Sequence, residues 1–446
     1  MRIATPFRAT FLASAASLVL GGCESTPAPE TQAEKAPAAA PAAPAPAAPA
    51  AAEKPAAAPA PVATAAPRQE PLEGGPYPTL LVAQAQFVDQ KQPDGSTLPV
   101  PGPAKLTIIR ETPTGWDTSI LEDPDSNVFH KAMPFGDELL TIGGNKAMLK
   151  TWKLADGKWT QQTHWNPKFG GKFDRLRDVE VADVDADGQP ELVVATHDQG
   201  VIAIVHPSES WRVEQIDQTP NTFVHEIEVG DVDGDGAVEI FATPSKPNKL
   251  DQEQPGEVTM YHRTKEGGWT KSIVDAPGDT HAKEILVAET DGTPPQELYI
   301  IWEGAFANRQ LVKPVSIKEY HSKDGAWQST EVTTVPDRQM RATAAGDVNG
   351  DGKIDIVAAG LGSGLWLIEH GDDGWTKAVI EENSSGFEHP VLLADLDDDG
   401  ALEIYVVSED QGEVRRYRWK DGKFEKTVVA EIDDGDISWN IQEGNF

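Results

Sequence analysis

A single cysteine, Cys23, is all that the 446 residues contain. An internal disulfide is therefore impossible, and a catalytic thiol elsewhere is excluded. Positive charge is scarce too: 38 lysines and arginines stand against 72 aspartates and glutamates, a formal net charge of −34. So acidic a chain repels phosphate backbones, which sets nucleic acid aside as a partner. No G-x-S-x-G turn occurs, and His225-Glu226-Ile-Glu-Val lacks the second histidine that a zinc-binding helix needs. The apolar run from Phe11 to Leu20 is too short to span a bilayer as a stable helix.

That run has another use. Arg2 and Arg8 precede it and Leu20-Gly21-Gly22-Cys23 follows it, so residues 1–22 read as a signal peptide. The tetrapeptide resembles a bacterial lipobox, which implies that Cys23 is lipidated after cleavage. With Glu24 in place of aspartate, the resemblance points to the outer membrane, on a face that the sequence leaves open. Residues 23–74 are mostly alanine and proline and bury no core. Proline every few residues disfavours helix and favours extended chain at about 3.1 Å per residue, a tether on the order of 100 Å.

Beyond the tether, residues 75–446 are long for one core unless built from repeats. One stretch sets the pattern: Asp231-Val-Asp233-Gly234-Asp235-Gly236-Ala237-Val-Glu239. Hard cations such as calcium take six to eight oxygens, and these alternating carboxylates with the Ala237 carbonyl supply most of them. Gly234 and Gly236 let the backbone curl round an ion. The motif recurs from Asp183, Asp347 and Asp395, with a degraded copy at Glu289 and Asp291. The first positions step by 48, 58, 58 and 48 residues, a period that suits a four-stranded unit.

An EF-hand needs a glutamate at position 12 and flanking helices. Here position 12 is apolar, the acid stands at position 9, and β-branched runs such as Glu191-Leu-Val-Val-Ala-Thr follow, which read as buried strands. A second marker counts the units. An aromatic residue follows a turn at Trp116, Trp159, Trp211, Trp269, Trp327, Trp375 and Phe424. Asp-Gly pairs before four of them are strong hairpin signals. Seven four-stranded units repeated radially make an all-β, seven-bladed β-propeller. Thr79-Leu-Leu-Val-Ala reads as a second strand lacking a first, and Asp436 to Gly444 as a first strand lacking a second. The C-terminal strand is therefore expected to complete blade 1.

The D-x-D-x-D-G-x-x-[DE] loops inside such repeats resemble the FG-GAP or VCBS repeats of bacterial surface proteins and integrin α-subunits. The resemblance implies calcium between strands A and B, at about four structural sites. Its ligands here would be Asp183, Asp185, Asp187, Gln189 and Glu191; Asp231, Asp233, Asp235, Ala237 and Glu239; Asp347, Asn349, Asp351, Lys353 and Asp355; and Asp395, Asp397, Asp399, Ala401 and Glu403. The seventh position serves through its carbonyl. Pro134-Phe-Gly136-Asp-Glu in unit 2 is expected to hold no ion. Full protein ligand sets leave little open coordination, so the metals are expected to hold the fold.

Function is then expected on the opposite face. Six residues before each loop start, about 20 Å along strand A, stand His130, Arg177, His225, Lys283, Arg341 and His389, with His281 close by, and only the C-terminal strand, with Ser438 there, breaks the series. Two readings stand. In one, these donors converge on an anion such as an acidic glycan. In the other, each pairs with an acid on the next blade, and Asp178, Glu226 and Glu284 are on hand. The B–C insertions at residues 84–104, 243–256 and 302–314 share this face, where binding loops collect. The expected function is a lipid-anchored binding module for an anionic carbohydrate or a protein. The alternative is a polysaccharide lyase, with Arg177 or Arg341 on the carboxylate and His225 or Lys283 as base.

Overall fold

The computed structural model describes residues 76–144, 146–171, 174–247, 254–307, 310–323, 325–371 and 374–446. Residues 1–22, Cys23 and the tether to residue 74 lie outside them. Blade 1 begins with β1 (Pro78–Lys91), β2 (Thr97–Thr112) and β3 (Gly115–Asp123). Blade 2 is β4 (Phe129–Phe135), β5 (Glu138–Gly143), β6 (Leu149–Ala155) and β7 (Lys158–Trp165). Blade 3 is β8 (Leu176–Ala182), β9 (Glu191–Thr196), β10 (Val201–His206) and β11 (Arg212–Gln218). Blade 4 is β12 (Phe223–Gly230), β13 (Glu239–Ser245), β14 (Val258–Arg263) and β15 (Trp269–Asp275). Blade 5 runs through β16 (Ala282–Ala288) and β17 (Glu297–Trp302), a hairpin of β18 (Ala305–Ala307) and β19 (Gln310–Lys313), then β20 (Val315–Lys323) and β21 (Ala326–Val335). Blade 6 is β22 (Met340–Gly346), β23 (Asp355–Gly360), β24 (Leu365–Gly371) and β25 (Gly374–Glu381). Blade 7 is β26 (Val391–Ala394), β27 (Glu403–Ser408), β28 (Glu413–Lys420) and β29 (Lys423–Glu431).

The last strand, β30 (Ile437–Asn445), pairs antiparallel with β1 and completes the D-C-B-A order of blade 1. Tyr77 and Phe446 exchange backbone hydrogen bonds at 3.1 and 3.2 Å beyond the ladder. The innermost strands β30, β4, β8, β12, β16, β22 and β26 each touch the next, back to β30, so the ring is closed. The expected seven-bladed propeller, fastened through blade 1, is the observed fold.

Strand B explains the packing. Successive side chains point to opposite faces, and both faces of a blade are covered by neighbours, so this strand is apolar throughout. In β1, Leu80 and Val82 pack toward blade 7, while Leu81 and Ala83 pack toward blade 2. Seven buried apolar clusters result, one at each interface between blades. The seven aromatic markers each seal the interface with the preceding blade. Trp116 meets Tyr405 edge-on at 6.4 Å, Trp327 meets Phe241 at 6.1 Å and Trp375 meets Tyr299 at 5.9 Å.

Two features differ from simple repeats. The 84–104 insertion is a β-ribbon in which β1 and β2 extend past the blade. Strand A also carries an extra residue near its start in six blades, at His130, Arg177, the His225-Glu226 pair, Lys283, Arg341 and Trp439. A bulge of this kind bends the strand and re-aims its side chains, which places these residues at the channel mouth.

Candidate functional site

The acidic loops join strands A and B of blades 3, 4, 6 and 7, at the face opposite that mouth. Their sixth-position glycines, Gly188, Gly236, Gly352 and Gly400, have φ between +83° and +87°, which a side chain would strain. Each gives its N–H to the first aspartate: Asp183 at 3.0 Å, Asp231 at 3.0 Å, Asp347 at 2.9 Å and Asp395 at 2.8 Å. The fifth-position acids Asp187, Asp235, Asp351 and Asp399 accept the N–H of Gln189, Ala237, Lys353 and Ala401 at 2.8–3.0 Å. Ligand atoms of Asp183, Asp185 and Asp187 lie within 4.8 Å of one another, as do those of Asp231, Asp233 and Asp235. The degraded copy also gathers Glu289, Asp291 and Glu297 within that distance.

The ninth-position acid is buried at the start of strand B. Glu191 and Glu239 each use one oxygen to clamp the second residue's N–H, at 3.2 Å from Val184 and 3.0 Å from Val232. Asp185 Oδ1, Glu191 Oε1 and both oxygens of Asp355 are buried without a hydrogen-bond donor. Burial first, then the neighbouring loop acids, pushes Glu191 and Asp355 up to about 7. Orphaned carboxylate oxygens turned on one another fit a divalent cation among them. Blade 7 differs. Arg418 donates to Glu403 at 2.7 and 3.0 Å and to Asp397, so these two acids already share a cation.

At the mouth the basic residues are buried, and Arg177, Arg341, Lys283 and His281 are joined in one network through Glu303 and Glu388. Arg177 of blade 3 donates to Glu388 of blade 7 at 3.3 Å, reaching across the channel. Arg341 donates to the other Glu388 oxygen and lies 3.6 Å from Glu303. Lys283 and His281 approach Glu303 at 3.7 and 3.3 Å. Burial and then Arg341 lower Lys283 to about 8. Against its burial, Lys283 foremost and then His281 and Arg341 hold Glu303 at about 2. His225 packs 5.0 Å from His197 and 6.4 Å from His281. Burial, then Lys283, keeps His225 neutral far below the ordinary histidine range. His130 bonds the Leu176 carbonyl at 2.5 Å and meets Trp439 edge-on at 4.8 Å. His389, at φ +53°, is held by Ser384 and the Gly360 carbonyl, both at 2.7 Å.

The acids expected to pair with this series lie one residue further along and do other work. Asp178 binds Lys131 at 3.1 Å and accepts the Ile227 N–H at 3.0 Å. Glu284 accepts the Thr343 N–H at 2.7 Å, the same clasp between neighbouring blades. Glu226 is pushed well above the carboxylate range by burial and then by Asp178 and Glu284. The partners of the arginines are Glu303 and Glu388 instead.

Comparison with known proteins bears on the loops. Residues 183–242 and 347–406 match the FG-GAP-like repeat family. No curated protein matches the sequence as a whole. Among solved structures, a candidate 6-phosphogluconolactonase from Bacteroides uniformis superposes with TM-score 0.52 at 13% identity, covering 83% of this chain and all of its own. The periplasmic gluconolactonase of Pseudomonas aeruginosa superposes with TM-score 0.50 at 12% identity over 82% of this chain and 98% of its own. At such identities the likeness is one of fold alone.

The two FG-GAP-like segments include His197, His225, Glu388 and His389 of the mouth and leave out Arg177, Lys283, Glu303 and Arg341. Three mouth residues escape sequence reasoning. Glu303 is the first residue after strand B of blade 5, where blade 3 has His197 and blade 7 has Glu409. Glu388 immediately precedes His389 in the series. Trp439, and not Ser438, occupies the blade 1 bulge, and Arg177 stacks on it at 4.9 Å.

Proposed function

We propose that this chain is a lipid-anchored, calcium-stabilised propeller that serves as a binding module of the bacterial cell envelope, and that it takes a protein partner on the face of the B–C connections. One observation carries the partner reading. Of the six exposed large apolar side chains among the described residues, four stand on two ribbons rising from this face: Val88 and Leu98 on β1–β2, Phe306 and Val312 on β18–β19. Apolar side chains on projecting ribbons are poorly placed for solvent and well placed for a protein surface. A photo-crosslinking residue at Phe306 or Leu98 is expected to capture the same envelope protein, and one at Ile273, exposed on the outer strand β15, to capture none. Equal capture at Ile273, or none at the ribbons, overturns the reading.

An acidic glycan is the second reading. It is supported by buried donors at the mouth without a hydrogen-bond acceptor, Arg177 Nε and Trp439 Nε1, beside Arg341 Nε, which stands 3.6 Å from Glu303. Binding of acidic oligosaccharides that vanishes in Arg341→Ala tests it. A lyase asks Arg177 or Arg341 to hold a uronate carboxylate, yet both hold Glu388, so nothing in the geometry favours that chemistry. Cys23→Ser is expected to move the protein out of the membrane fraction. Calcium is expected to raise the melting midpoint above that in chelator, and an unchanged midpoint sinks the metal reading.

A further inference from the structure

The residue facing the ninth loop position across strands B and C changes from blade to blade. His206 stands opposite Glu191, His262 opposite Glu239, Glu369 opposite Asp355 and Arg418 opposite Glu403, each one step beyond a paired position in the ladder. We propose that this residue decides what each loop takes, and that Asp185, Glu191 and His206 of blade 3 form a site for a divalent transition metal such as zinc. The inference goes beyond the binding function and does not depend on it.

His206 and Glu191 are 1% and 0% exposed. His206 Nδ1 lies 3.5 Å from Glu191 Oε1 and 4.0 Å from Asp185 Oδ2. Ligands about 2.1 Å from a tetrahedral ion stand about 3.4 Å apart, so the three are spaced as a site of that kind requires. Glu191 Oε1 and Asp185 Oδ1 have no donor, and neither has anything apolar to gain from burial. Calcium takes oxygen ligands, whereas imidazole suits zinc, copper and nickel. His206 Nε2 faces Glu214 Oε2 at 3.6 Å, and a carboxylate on the outer nitrogen is what orients a metal-bound histidine. The opposing charge nearest the site is Arg263, 3.9 Å from Asp185.

Blade 4 repeats the arrangement at a more exposed place, with His262 Nδ1 3.4 Å from Glu239 Oε1, and blades 6 and 7 make the contrast. In blade 6, Glu369 adds a carboxylate and accepts a hydrogen bond from Asn349 at 3.2 Å, which keeps that loop all-oxygen and suited to calcium. In blade 7 the Arg418 guanidinium lies between Asp397 and Glu403 where a cation would sit, so that loop takes none.

The test uses the full chain, stripped with chelator and titrated with zinc and calcium by calorimetry. His206→Ala is expected to lower zinc affinity at least tenfold while calcium binding persists. Glu214→Gln is expected to weaken zinc about tenfold through the outer nitrogen. Arg418→Ala is expected to add one cation site. Cobalt bound to the unmutated chain gives a separate reading, expected as strong visible bands of a low-coordinate site with nitrogen. An all-oxygen six-coordinate cobalt spectrum, zinc affinity indifferent to His206, or no gain in Arg418→Ala overturns the proposal. None of these readouts involves the ribbons, so this proposal and the partner reading fail separately.

Discussion

At the scale of single residues, Glu388 is the most consequential side chain at the mouth, because one buried carboxylate holds two guanidinium groups from blades 3 and 6. Removing one partner of a buried pair leaves charge without compensation, at about 3–5 kcal/mol. Glu388→Ala is expected to cost that much in urea unfolding. His389 gives a pH signature. Burial lowers it from 6.5 to about 4, so as pH falls the unfolded chain takes up its proton first. Stability present above pH 6.5 is therefore lost toward pH 4, by about 3 kcal/mol from this group. The melting midpoint should fall through that window, and less in His389→Gln. The basic series was legible as a repeat, since all six members precede a loop by the same count. Its partners were not. Glu303 and Glu388 meet Arg341 from the two neighbouring blades, and Glu388 also meets Arg177 across the channel, relations that no local spacing encodes.

At the scale of elements, the acidic loops and strand B were readable because each is a local device: carboxylates at alternate positions, a glycine needing positive φ, then an apolar run. The bulge was hidden, since an inserted residue leaves no mark in composition and shifts the period by one. Blade 1 has no acidic loop from which to count, and the count there fell on Ser438, one residue short of Trp439. Thr243 braces the blade 4 bulge, its Oγ1 accepting the N–H groups of His225 and Glu226 at 3.3 and 2.9 Å. In Thr243→Val two buried N–H groups lose their acceptor, and the loss is expected to be about 1–3 kcal/mol by chemical denaturation. Phe241→Ala, at the blade 4–5 interface, is expected to cost about 3–5 kcal/mol by cavity formation.

For the molecule as a whole, stability is divided among seven like interfaces, and the ring survives only while all are made. Deleting residues 437–446 strips strand A from blade 1 and bares the edge of β1. An unpaired edge flanked by an apolar strand invites pairing with other chains. The truncated protein is expected to lose its single calorimetric transition and to scatter light at concentrations where the full chain stays clear. Ring closure was legible in outline because the two half-blades at the ends lack complementary strands.

The pairing of β1 with β30 also orders events in time. The first strand of the ring to be synthesised finds its inner neighbour only when the last has been made, with the whole propeller in between. Contacts of such sequence separation form late and slowly. Blades 2 to 7 can assemble in sequence behind the growing chain, each against its predecessor. Blade 1 waits with one edge open, and the ring locks in a single final step.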